Sequence, residues 1–131
     1  MLRDVHSGRL KIEGAEHGQT IAAAILYAMS LLELRRFEEV KSLLCKTIPV
    51  AQRKLGAGDL YTLTAKKVYA HMIYDDESAT LDDVREAQTM LEEAAPISRR
   101  VLGGTHPLTL QIETILKYLR AGWRETPPAN A

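Results

Sequence analysis

The sequence predicts an all-α chain of about two and a half helix–turn–helix repeats of 42 residues, stacked so that neighbours share one core. Three observations carry this. The stretches "KIEGAEHGQT", "RKLGAGDLYT" and "RRVLGGTHPLT" bring threonines to positions 20, 62 and 109, separated by 42 and then 47 residues. Six residues before each threonine stands a glycine (Gly14, Gly56, Gly103), and three before it stands His17, Asp59 or His106. Between these stretches apolar residues recur at three and four, the spacing of one helix face. Self-similarity at a fixed period of this size is the signature of a repeat architecture, in which one unit cannot bury its apolar face alone.

Residues 1–12, with Leu2, Val5 and Leu10 on one side, read as the remnant of an outer helix. An inner helix follows over 18–35, with Ile21, Ala24, Ala28, Leu31 and Leu32 as its apolar face. The outer helix 37–55 carries the stripe Phe37, Val40, Leu44, Ile48, Ala51 and Leu55. The inner helix of the second unit spans 60–74 and its outer helix 81–102, with Val84, Ala87, Leu91, Ala95 and Leu102 on the stripe. A last inner helix covers 107–121. A shift of 47 residues lays Pro49 on Pro96, Ala51 on Ser98 and Leu55 on Leu102. Proline costs about 3 kcal/mol inside a helix, so its recurrence at one register position is informative. A shift of 42 lays Tyr27 on Tyr69, which confines the extra residues of the second unit to "DDESATL".

In the third stretch Gly103 or Gly104 suits the left-handed backbone that ends a helix, His106 or Thr105 the N-cap, for which Asp59 is the better residue at the matching site, and Pro107 the first turn. Arg53-Lys54 and Arg99-Arg100 sit in last turns, and Asp82 and Asp83 in a first turn, as the helix dipole favours. Residues 1–122 thus make one helical domain, and 123–131, with two prolines, a disordered tail.

Lysine plus arginine equals aspartate plus glutamate at 17 each, which argues against a nucleic-acid or anionic-membrane binder. No apolar run approaches a membrane span or a signal peptide. One cysteine, Cys45, excludes an internal disulfide and suits a reducing, cytoplasmic setting. Cys45 lies beside the stripe of its helix, and burial as a small apolar residue is expected. His6, His17, His71 and His106 lack the spacing of metal ligands. Asp75 to Glu77 lack the glycine and closing glutamate of a calcium loop. Neither a paired acid and base nor a phosphate loop is visible, so no enzyme, metal or cofactor is expected. Trp123 and Tyr118, at the end with no following outer helix, are read as a cap or as an apolar contact point for a partner or a second copy.

The segments "VLGGTHPLT" (Val101 to Thr109), "KLGAGDLYT" (Lys54 to Thr62) and "RRFEEVKSLL" (Arg35 to Leu44) resemble the 42-residue tetratricopeptide (TPR) repeat of the kinesin light chain type. Ala28 and Ala70 match that family's inner-helix alanine, and the resemblance spans residues 12–120. It implies a right-handed α-α superhelix whose inner helices line a concave, peptide-holding face. The family's paired asparagines, five and six residues after the threonine, are replaced here by Ile25-Leu26, Lys67-Val68 and Thr114-Ile115. Groove positions then fall two, five, six and nine after each threonine. They are Ala22, Ile25, Leu26 and Met29; Thr64, Lys67, Val68 and His71; and Gln111, Thr114, Ile115 and Tyr118. So apolar a set favours an amphipathic partner helix over an extended acidic peptide. A non-catalytic protein-interaction scaffold is therefore expected, with self-assembly through the incomplete ends as the alternative.

Overall fold

A computed structural model describes the backbone of residues 5–121 and the side chains of residues 19–121. Five helices follow one another: α1 (Val5–Glu33), α2 (Phe37–Leu55), α3 (Leu60–Asp75), α4 (Leu81–Leu102) and α5 (Pro107–Arg120). The chain is all-α; no strand occurs among the described residues. Each helix packs on the next, and α1 with α3 and α3 with α5 pack side by side as well. α3 therefore lies amid the other four, and Leu63, Ala65, Val68, Tyr69, Ala70, Met72 and Ile73 are all buried. The stripes of α2 and α4 enter the same core through Val40, Leu44, Ile48 and Ala51, and through Val84, Ala87, Leu91 and Ala95.

The largest departure from expectation is at the start. The stretch "KIEGAEHGQT" predicts a turn at Gly14 to His17 between separate helices over 1–12 and 18–35; instead α1 runs without interruption through Gly14, His17 and Gly18. This stretch has neither the aspartate cap of the second copy nor the proline of the third. Glycine inside a helix costs only about 1 kcal/mol relative to alanine, which intrahelical bonding withstands. Residues 1–4 of the expected first helix and the tail 123–131, with Trp123, lie outside the described residues. α1 also ends two residues early, at Glu33. Arg35 takes φ 58°, Arg35 N–H donates to Leu32 O and Arg36 N–H to Leu31 O, each at 2.9 Å, the pattern that closes a helix when the following residue is left-handed.

Positions 47 residues apart have matching backbones. Gly56 and Gly103 end α2 and α4 at φ 96° and 99°. Asp59 N–H bonds Gly56 O and His106 N–H bonds Gly103 O, both at 3.3 Å. The caps also correspond: Asp59 Oδ1 accepts from Tyr61 N–H at 2.8 Å, and His106 Nδ1 from Leu108 N–H at 3.0 Å. Thr62 and Thr109 are fully buried. Thr62 Oγ1 donates to Ala51 O at 3.2 Å, and Thr109 Oγ1 shares a 2.6 Å hydrogen bond with Ser98 Oγ. Each hydroxyl thus ties the later turns of one helix, α2 or α4, to the start of the next, α3 or α5. Pro49 and Pro96 sit on exposed faces, where water can serve the carbonyls they leave unbonded.

The linker between α3 and α4 is built rather than slack. Asp76 Oδ1 accepts from Ser78 N–H and Ser78 Oγ at 3.0 and 2.8 Å, and Ala79 is buried beneath it. Thr80 and Asp83 cap α4 reciprocally, which supplies two otherwise unpaired N–H groups. One residue differs from expectation in burial. Cys45 is exposed; it lies one position past Leu44, and successive residues on a helix point about 100° apart. Lys66 is 3% exposed, at the floor of a cleft between α2 and α4 with Glu86 and Glu93 near its rim. Burial lowers its pKa, and Glu93 partly offsets this.

A folded-state pKa below that of the unfolded chain means that the unfolded chain binds the proton more tightly. Lys66 therefore weakens the fold at neutral pH, and the penalty fades as pH rises from the lowered pKa towards the ordinary 10.5. Lys66→Met is expected to stabilise by roughly 1 kcal/mol at pH 7, with the gain shrinking towards pH 10.5. Urea titrations at the two pH values check it; a loss of stability at pH 7 would show that the ammonium has a partner worth keeping.

Candidate functional site

Helices α1, α3 and α5 together present one face at which clefts open between them. Two clefts lie on it. One, of about 430 Å³ between α3 and α5, is lined by Lys67, His71, Tyr74, Leu110, Gln111, Thr114, Ile115 and Tyr118. The other, of about 390 Å³ between α1 and α3, is lined by Met29, Leu32, Glu33, Arg35, Lys67, Val68, His71 and Asp75. Lys67 and His71 belong to both, so the two clefts meet along one turn of α3.

Eight of the twelve sequence-derived groove residues line these clefts: Met29, Lys67, Val68, His71, Gln111, Thr114, Ile115 and Tyr118. Val68 is only 1% exposed and belongs to the core beneath the groove, not to its surface. Its helix has inner helices on both sides, which cover a position left open in α1. Four residues fall outside. Ile25 is buried in the core at 3% exposure, while Leu26 beside it is 64% exposed and outside both clefts; successive helix positions point about 100° apart, and here one turns to the core and the other to water. Thr64 turns back to donate to Leu60 O at 2.7 Å. Ala22 is half-buried and outside both clefts.

The sequence reading missed Tyr74 and Leu110. Tyr74 lies one turn past His71, and its ring stacks on Tyr118 with centroids 5.7 Å apart and planes at 28°, the offset arrangement that aromatic pairs favour. The signal was present as aromatic residues near the ends of two inner helices, but no single-helix pattern reveals that they meet. Arg35, just past the end of α1, places a guanidinium nitrogen 3.5 Å from Asp75 O and lies over the Phe37 ring at 4.9 Å.

The electrostatics are simple. His71 Nε2 is 3.2 Å from Asp75 Oδ2, so that carboxylate is engaged along its own helix. Burial lowers the Lys67 pKa, and no neighbouring carboxylate contributes to the shift. The groove thus has apolar and aromatic walls with one ammonium at its centre. Its polar groups suit hydrogen bonding and charge contact. Among the described residues no group of His, Cys, Asp and Glu is arranged to hold a metal ion, and none of the five helices is long and apolar enough to cross a membrane. Comparison with protein-family models, with curated proteins and with solved structures finds no match.

Proposed function

We propose that the chain is a non-catalytic protein-interaction module: a short right-handed α-solenoid of the TPR kind that holds a partner helix across α1, α3 and α5. One observation carries the reading. Two clefts that share Lys67 and His71 form a groove over the inner helices, and Tyr74, Leu110, Ile115 and Tyr118 make its α5 end apolar. The matched backbones at Gly56 and Gly103, and the matched caps at Asp59 and His106, support a repeating unit. An amphipathic helix fits this groove better than an extended peptide, because apolar anchors at three and four find walls here and no asparagine pair is present to hold a peptide backbone. The module would work in a reducing compartment such as the cytoplasm, which the exposed thiol of Cys45 suits.

The test is capture of partners from lysate of the source cells by the intact chain and by a Lys67→Glu, His71→Glu variant that keeps its helical circular dichroism. Proteins held by the first and lost by the second are expected, with affinity falling at least tenfold, which is about 1.4 kcal/mol. Identical sets from both baits would remove the groove from consideration.

A further inference from the structure

The two edges of the helix stack are not alike. In the 47-residue register, Ala70 and Ile73 of α3 correspond to Lys117 and Arg120 of α5. The α3 pair is buried, at 0% and 1% exposure, and the α5 pair is exposed. Glu113 and Arg120 of α5 are also tied to α4, through Arg99–Glu113 at 3.0 Å and Arg120–Glu92 at 3.3 Å. Among the described residues this edge presents charged side chains to water.

The opposite edge is unfinished. In the 42-residue register, Thr62, Ala65 and Tyr69 of α3 correspond to Thr20, Ala23 and Tyr27 of α1. The α3 residues are buried on the side where Thr62 bonds α2. Their α1 counterparts are all exposed, Tyr27 at 58%. α1 therefore shows water a face that this fold buries one unit later.

We propose that a second copy of the chain covers this face, with the two α1 helices paired antiparallel about a two-fold axis between Ala23 and Ala24. The row Thr20, Ala23, Ala24, Tyr27 is self-complementary in size. About that axis each Tyr27 lies over the other copy's Thr20, and the alanines meet at the centre, where small side chains let two helices approach to about 8 Å. Such an interface is isologous and closes at two copies. Head-to-tail stacking is disfavoured, because it would bury the two ion pairs of the α5 edge, and desolvating paired charges is costly. The face is distinct from the groove at Met29, Lys67 and His71, so the inference does not depend on the proposed function.

Sedimentation equilibrium of the full chain, from micromolar to millimolar, tests it. The mass is expected to rise with concentration from 14.6 kDa towards twice that value. Tyr27→Glu and Ala23→Arg, both at exposed positions, are expected to hold the mass at the lower value with unchanged circular dichroism. Leu110→Glu, in the groove, is expected to leave the dimer intact. In a Cys45→Ser background, oxidation of Ala23→Cys is expected to give a disulfide-linked dimer. A mass fixed at 14.6 kDa throughout, species larger than two copies, or a dimer that survives both α1 substitutions would each overturn the proposal. Doubling of the mass without linkage at Ala23→Cys would overturn the two-fold register.

Discussion

Tyr69→Ala is expected to destabilise the chain by about 3–5 kcal/mol, the range for removing a buried aromatic ring. Tyr69 is 1% exposed and heads the fully buried side chains by volume. It lies on α3, which packs against all four other helices, so no neighbour can collapse into the space without leaving another. Domains of this size have roughly 5–15 kcal/mol in all, and one substitution would then remove about a fifth or more. The phenol Oη donates to Glu86 Oε1 at 3.0 Å, and burial together with that bond raises its pKa well above the ordinary phenol value. Tyr69→Phe removes only this bond. Because Glu86 is exposed and water can replace the donor, a loss of about 1 kcal/mol is expected. Urea unfolding of both variants separates ring from hydroxyl. A cost below about 1 kcal/mol for Tyr69→Ala would mean that α3 is not the centre of a shared core.

Gly103→Ala is expected to cost about 1–3 kcal/mol, and Gly56→Ala the same. At φ 99° and ψ 153°, and at φ 96° and ψ 157°, both glycines occupy a region essentially closed to residues with a Cβ. An added Cβ would meet nothing within 4 Å at either site, so the cost is one of backbone conformation, not crowding. Gly104→Ala is the contrast. Its Cβ would lie 2.7 Å from an Arg99 nitrogen at the free end of a flexible side chain, which can swing away for roughly 1 kcal/mol or less. Thermal unfolding of the three variants checks the order. Equal losses at Gly103 and Gly104 would contradict the backbone assigned to the turn.

Much of the architecture is legible in the sequence because its signals are local. Asp59, Thr80 with Asp83, and His106 with Pro107 mark helix starts by chemistry that acts within one turn, and Gly56 and Gly103 mark helix ends. The first turn misled because its glycine and histidine match the others while the decisive partners, an aspartate or a proline, are missing; the chain continued as helix. The groove was legible as far as the period of the threonines carries. Lys67, His71, Thr114 and Tyr118 follow from it, whereas Ile25 and Val68 do not, since burial at those positions depends on which neighbours flank the helix. The Tyr74–Tyr118 stack and the buried Lys66 are products of packing between helices, which no one-helix pattern encodes.

The two threonine hydroxyls that tie one helix to the next have a bearing on how the molecule comes apart. Thr62 bonds back to Ala51, and Thr109 to Ser98, so α2 is fastened to α3 and α4 to α5. Opening should then advance from the ends in steps instead of at random. α5, held on one flank by α3 and on the other by α4, would release its amides to deuterium first. Breaking the Ser98–Thr109 link would come with that step. The amides of α3 would exchange last, at a rate set by the whole chain's stability.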